Sequence, residues 1–277
     1  MVKPTLLYGC EIWRLGNIEI IERVHIQFCK LLLQLKNLTP TYMIYGELGR
    51  YPIVLDVKIR ILSFWSKLLF GKESKLSLII YRLCFEMYTV NDPNFPWLKF
   101  FHNIINECGL AYIWNTQTFI NSDWFISLVK QMLKDQYNQL WHSQTENSTK
   151  ALTYRLFKDN FMPGPYLEIL DSKNAIILCK FRTTHHRLPI EIGRWQNIER
   201  NNRKCLLCDT NIIGDEFHYI LQCRYFEQNR KNLIPSYFRN RSNVLKFKNI
   251  ITVTKKSDLL KLCKMIKVIN EGVCAPG

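Results

Sequence analysis

Cys205-Leu-Leu-Cys208, then His218 after nine intervening residues and Cys223 after four more, carry the most chemistry per residue in this chain. Three thiolates and one imidazole make a complete tetrahedral set for Zn²⁺, and a Cys-x2-Cys pair followed by His-x4-Cys has the spacing of a zinc knuckle. Two other readings compete with it. A Cys-x2-Cys pair alone also suits a redox dithiol, and a buried cysteine is often only a small apolar filler. The redox reading leaves His218 and Cys223 without a task, and no βαβ pattern surrounds the pair. On the zinc reading, Cys205 and Cys208 sit on a tight turn and Asn211 to Asp215 reverse the chain through Gly214. Phe217 to Cys223 then form one short helix or turn that returns His218 and Cys223 to the same ion.

Basic side chains crowd this motif. The chain of 277 residues has a formal charge of +15, which points to a polyanionic partner or an acidic surface. The excess is uneven. Residues 1 to 170 carry 18 Lys and Arg against 14 acids, while residues 171 to 277 carry 20 against nine. Arg182, Arg187, Arg194, Arg200, Arg203 and Lys204 precede the motif and Arg224 follows it, so folding around a metal would gather them into one positive face able to contact phosphates. His185 and His186 are read with them. Further metal ligation or acid-base work is disfavoured, because the four-ligand set is complete and no nucleophile or carboxylate partner is apparent nearby. Base or phosphate contacts, or packing, remain. For any one of these cations the alternative is a solvated face that keeps the protein soluble.

The elements that must position these residues read as helices. Ile21, Val24, Phe28, Leu31 and Leu35 recur at helical spacing after a start at Gly16 and Asn17, with Glu19 and Glu22 early and Lys30 and Lys36 late, as the helix dipole favours. Further helices are predicted from Thr39-Pro40 to Leu48, Leu55 to Phe70, Leu76 to Val90, Trp97 to Cys108, Ser122 to His142, from Asp171, Tyr225 to Leu233, and Ser257 to Asn270. Sustained alternating runs are scarce. The fold class is therefore mainly α, with a helical first part, a small CCHC zinc knuckle and a terminal helix. Asn91 to Pro96 reads as a linker and Met162 to Pro165 as a break, giving expected domains of 1–90, 91–170, 171–240 and a basic helical tail at 241–277. Trp97, Trp114, Trp124 and Trp141 lie in apolar periodic segments, which favours core packing over base stacking for most of them.

The ten cysteines are scattered, and Cys10, Cys29, Cys84, Cys108, Cys179 and Cys263 occupy apolar or helix-like settings rather than a disulfide framework. With no signal peptide before them, the expected setting is a reducing compartment, nuclear or cytoplasmic. No apolar run approaches the ~20 residues of a membrane span.

Taken together, these stretches resemble the carboxy-terminal part of non-LTR (LINE-type) retrotransposon reverse transcriptases. One block is Lys3 to Trp13 with Glu22 to Lys30 and Tyr45 to Pro52, which looks like the segment after the polymerase palm. The other is Arg182 to Arg194 with Cys205, Cys208, His218 and Cys223, which looks like the family's terminal zinc-binding domain. Residues 91 to 170 match only in helical character. The resemblance implies a helical thumb and connector that hold template and primer, then a knuckle that helps bind RNA or target DNA. Polymerisation itself needs two metal ions held by clustered aspartates. The chain has no Asp-Asp pair, Met1 falls after the place where the palm would end, and the 54 residues after Cys223 hold only Glu227, Asp258 and Glu271 as acids. The expectation is a non-catalytic fragment that binds RNA or DNA through a Zn²⁺ knuckle and its basic flanks. Two alternatives are a protein-interaction module clipped by structural zinc, and a part of an active enzyme whose palm is encoded upstream. The oligomeric state is left open.

Overall fold

The computed structural model describes residues 4–5, 7–11, 18–90 and 95–274. Trp13, the expected helix start at Gly16 and Asn17, and Asn91 to Asn94 of the linker lie outside the described residues. In chain order the α-helices are α1 (Ile18–Leu33), α2 (Thr41–Leu48), α3 (Ile53–Leu69), α4 (Leu76–Thr89), α5 (Pro96–Glu107), α6 (Ala111–Thr116), α7 (Ser122–Asn147), α8 (Tyr166–Ile169), α9 (Ser172–Arg182), α10 (Pro189–Trp195), α11 (Glu227–Leu233), α12 (Ser236–Arg239), α13 (Val244–Ile251) and α14 (Lys256–Cys274). Among the described residues no strand forms, and the one isolated bridge pairs Lys204 with Ile213 in antiparallel sense. The protein is mainly helical. No described helix is long and apolar enough to cross a membrane.

The chain divides into two units, residues 1–26 with 51–140 and residues 27–50 with 141–277. The breaks expected near 90, 170 and 240 fall inside these units, because packing joins segments that are far apart in sequence. The first unit is built on Trp65 of α3, which is fully buried and surrounded by the rings of Phe101, Trp114, Phe119 and Phe125 at centroid distances of 5.6 to 6.4 Å. Val57, Ile61, Leu62 and Trp65 bury one face of α3, as apolar residues at spacings of three and four must. Trp124, unlike Trp114, stays partly exposed.

In the second unit α2 carries a close packing point at Gly46, where a Cβ would lie 2.7 Å from the Tyr154 hydroxyl and 2.8 Å from Trp141 Nε1. Trp141 Nε1 donates to the Tyr42 carbonyl at 2.9 Å. The segment expected to be a basic tail is instead a core element. Leu259, Leu262, Cys263, Met265, Ile266 and Ile269 of α14 are fully buried, and α14 packs on α9 and α11. Its Lys261, Lys264 and Lys267 occupy the outer face. A helical period of 3.6 lets three lysines and six apolar residues share one helix without conflict.

Candidate metal centre

The segment bearing the first two cysteines is a short hairpin. Cys205 N–H donates to the Ile212 carbonyl at 2.9 Å and Gly214 N–H to the Arg203 carbonyl at 2.9 Å, so the chain has already reversed before Gly214. The turn falls earlier, across Asp209 to Asn211, with Asn211 in the left-handed region at φ 53°, a conformation that asparagine tolerates better than most residues. Gly214 serves a different need from the one expected of it. A Cβ there would approach Pro189 Cγ to 2.9 Å and Cys205 Cα to 3.2 Å, so the missing side chain lets the returning chain lie against α10 and the first ligand.

The second half depends on an unusual turn. Asp215 Oδ1 accepts the His218 N–H at 2.9 Å and starts a π-helical turn over His218–Gln222, closed by the Cys223 N–H on the His218 carbonyl at 2.7 Å. In an α-helix, residues five apart point about 140° away from each other, since each residue turns the chain by about 100°. The wider i to i+5 turn stacks Cys223 against His218, and so one residue of local widening makes the His-x4-Cys spacing usable.

The four side chains converge. Their ligand atoms all lie within 4.8 Å of one another. Cys205 Sγ and Cys223 Sγ are 3.8 Å apart, close to the edge of about 3.7 Å that ~2.3 Å Zn–S bonds give a tetrahedron. Cys208 Sγ stands 3.4 Å from His218 Nε2. Backbone N–H groups of Leu207, Thr210 and Tyr225 act to lower Cys205, Cys208 and Cys223 respectively, although the Cys205 sulfur and then burial raise Cys223 overall. Donors aimed at sulfur favour the thiolate. The hydrogen bond from Cys223, helped by His218 and Tyr219, pulls the Cys205 thiol down to about 3 against its own burial. Burial raises Cys208, but the Thr210 hydroxyl and N–H outweigh it and the net shift is downward. For His218 burial works against the charged ring, and hydrogen bonds to Cys205 and then Cys208 reverse that effect and raise it. A cage of three sulfurs and an imidazole nitrogen, of which only Cys208 is appreciably open to solvent, can hold one thiophilic divalent cation.

The basic residues predicted to face nucleic acid separate into two groups. Arg182 belongs to the interior: its Nε and Nη2 bond the two carboxylate oxygens of the fully buried Glu47 at 2.9 and 3.1 Å, its Nη1 bonds the Ile251 carbonyl, and Phe157 and Tyr166 flank its guanidinium. His186 is also inside. Its Nε2 meets Glu216 Oε1 at 2.9 Å, and Thr153 donates to Glu216 Oε2 at 2.8 Å, so it has the carboxylate partner that local sequence did not reveal. His185 is half-buried and pushed down to about 4, by burial first and then by Lys36 and Lys180; it is a neutral ring at ordinary pH. Arg203 ties the hairpin to α10, with Nε on the Ile198 carbonyl at 2.9 Å, Nη1 on the Ile190 carbonyl at 3.1 Å, and its stem against Gly193. Arg194 pairs with the buried Glu191 at 3.1 Å. The cations left on the surface are Arg187, Arg224 and Arg200, the last only 4.0 Å from Asp215, with Lys204 half-exposed.

Sequence reading missed Glu47, Glu216, Asp215, Thr210 and Tyr219 around this region. Asp215 had a local signal, an aspartate three residues before a ligand at a helix start; Glu47 had none, because its partner lies 135 residues away. The chain matches no protein-family model, no curated protein and no solved structure.

Proposed function

We propose that the protein is a zinc-stabilised nucleic-acid-binding protein, with Zn²⁺ held by Cys205, Cys208, Cys223 and His218 Nε2, and with RNA or DNA phosphates contacted by Arg187, Arg200, Arg224 and Lys204. The observation that carries this reading is the convergence of three sulfurs and one imidazole nitrogen within 4.8 Å of one another. Zinc is favoured over other thiophilic ions because a closed set of three thiolates and one histidine is a common structural zinc arrangement. The ion's role is to fold the hairpin, since it has no open coordination position for chemistry once all four ligands bind. The likeness to the carboxy-terminal part of LINE-type reverse transcriptases agrees with it. On that reading the chain is a non-catalytic portion in which polymerisation belongs to a palm outside this sequence, and it works in the nucleus or cytoplasm, where thiols stay reduced.

Protein purified under reducing conditions is expected to contain one zinc per chain by elemental analysis and to lose it in Cys208→Ser. RNA or DNA affinity should fall steeply with salt. The triple variant Arg187→Ala, Arg200→Ala, Arg224→Ala should flatten the plot of log affinity against log salt by about two units on a single strand, where each neutralised phosphate adds ~0.7 to the slope. An unchanged slope with zinc still bound overturns the nucleic-acid part. Salt-independent capture of a protein partner would favour the interaction-module alternative, for which the exposed Leu206 and Ile212 on the hairpin offer apolar contact.

A further inference from the structure

The three sulfurs of the centre differ in what surrounds them. Cys205 Sγ lies 3.3 Å from the Tyr219 hydroxyl, and both residues are buried. Cys208 Sγ lies 3.0 Å from the Thr210 hydroxyl. Cys223 faces no hydroxyl among the described residues, and its carbonyl is held by Arg230 at 2.7 Å. For the Tyr219 O–H the sulfur is the acceptor at hand, while the Leu206 backbone N–H acts on the phenol oxygen from the donor side. A phenol with no exposed surface, its ring packed edge-on to His218 at 5.5 Å and tilted against Phe226 at 6.1 Å, would leave its O–H without an acceptor if the sulfur were not there. A thiolate is an acceptor only, so each hydroxyl must donate once the cysteines are ionised.

From these contacts we infer that Tyr219 and Thr210 are outer-sphere donors of the metal centre. Each hydroxyl draws charge from one thiolate and fixes its position, and Thr210 in addition shields Cys208 from electrophiles. The inference rests on the metal reading above and extends it to residues that bind no metal themselves. Its physical basis is charge. Three thiolates and a divalent ion leave one net negative charge in a largely buried cage, and donors that spread this charge lower its cost. The two hydroxyls have different tasks because the two sulfurs differ in access. Cys205 is enclosed, so Tyr219 acts on metal retention; Cys208 is partly open, so Thr210 acts on retention and on reactivity.

The test uses the full zinc-loaded chain with Tyr219→Phe, Thr210→Val and Thr210→Ser. Zinc affinity, read by competition with a chromophoric chelator, should fall 10- to 100-fold in Tyr219→Phe and Thr210→Val, the loss typical of outer-shell partners, and should recover in Thr210→Ser. Alkylation by N-ethylmaleimide, mapped by mass spectrometry, should speed up at Cys208 in Thr210→Val and not in Tyr219→Phe. In the cobalt-substituted protein the thiolate-to-metal charge-transfer band should move in both. Affinities within twofold of the parent, with an unmoved band and unchanged helix content, would overturn the inference while leaving the metal site standing. A parent protein that holds no metal removes both.

Discussion

The first unit centres on Trp65 with four aromatic rings about it and a surrounding shell of Ile, Leu and Val. The second unit buries Glu47 against Arg182, His186 against Glu216, and a cage of three thiols and an imidazole. Both kinds of interior are dense, yet they tolerate damage differently. Apolar contacts are many and individually weak, so loss of one side chain leaves the others in place. A buried charge or a ligand depends on one or two partners, and removing a partner leaves the other group desolvated and unmatched. The second unit should therefore fail abruptly where the first degrades in steps.

Metal removal should break this comparison most visibly. Chelation or Cys223→Ser takes away a ligand set whose binding drives folding by ~10–16 kcal/mol in zinc-finger peptides, as much as a whole domain's usual stability of about 5–15 kcal/mol. Hydrogen exchange should show protection lost around 203–226 and reduced across α9, α11 and α14, with residues 51–140 unaffected. Equal loss in both units would refute the idea that the ion serves only the second.

Next in size come two truncations of similar cost. Trp65→Ala opens a cavity under four rings and should destabilise the first unit by about 3–5 kcal/mol. Glu47→Ala strands the Arg182 guanidinium and should destabilise the second by about 3–5 kcal/mol. A second change separates them. Adding Arg182→Met to Glu47→Ala should recover most of the loss, because two uncharged groups of suitable volume no longer need each other. Trp65→Ala has no comparable single rescue. Chemical denaturation of the three variants provides the check, and an unrescued double variant would count against the charge argument.

Acid offers a milder version of the same contrast. Burial alone would raise the Glu47 carboxyl, but Arg182 and then Lys158 overcome it and hold the group below its ordinary value of 4.5. A carboxylate lowered in the folded state stabilises fully above its unfolded pKa, and that contribution is lost as pH falls through the folded value. The second unit should thus weaken below about pH 4.5, while Trp65 fluorescence of the first stays native over the same range. Glu47→Gln, tested with zinc bound, should remove part of this acid sensitivity.

The two units were also unequally legible. The α1, α3, α4 and α7 segments repeat apolar residues every three or four positions, a local signal that holds whatever the rest of the chain does. The metal ligands are local too, all within 19 residues. What escaped reading is what depends on distant partners: Arg182 looked like a phosphate contact until Glu47 stood against it, and Arg203 looked like surface until its guanidinium closed on the Ile190 and Ile198 carbonyls. Arg and Glu have the same sequence signature on a solvated face as in a buried pair. The α13 segment was missed for another reason. Asn243 caps it and Phe247, Ile250 and Ile251 are buried, but it fell within the basic helical tail expected over 241–277 and was not read as an element of its own. The π turn had no signal apart from the His-x4-Cys spacing itself.

The smallest expected effect concerns a polar thread inside the aromatic unit. Trp65 Nε1 donates to the Tyr81 hydroxyl at 2.7 Å, and that hydroxyl donates to Gln117 Oε1 at 2.6 Å; Gln117 ends α6 in the left-handed region at φ 53° and donates its own amide to the Trp114 carbonyl at 2.5 Å. The thread exists because an indole N–H cannot be left unpaired in a dry core. Burial raises the Tyr81 hydroxyl well beyond its usual range, so it remains a donor at any pH the fold survives. Tyr81→Phe keeps the ring and its packing on Phe85 and Trp97 but leaves one donor and one acceptor unmatched, for an expected cost of about 1–3 kcal/mol. Trp65→Phe with Tyr81→Phe should cost less than the two single changes added together, because the donor that Tyr81 served has gone with it. If the two costs simply add, the thread has no cooperative part in the first unit, and the two interiors would differ in composition without differing in how their polar groups depend on one another.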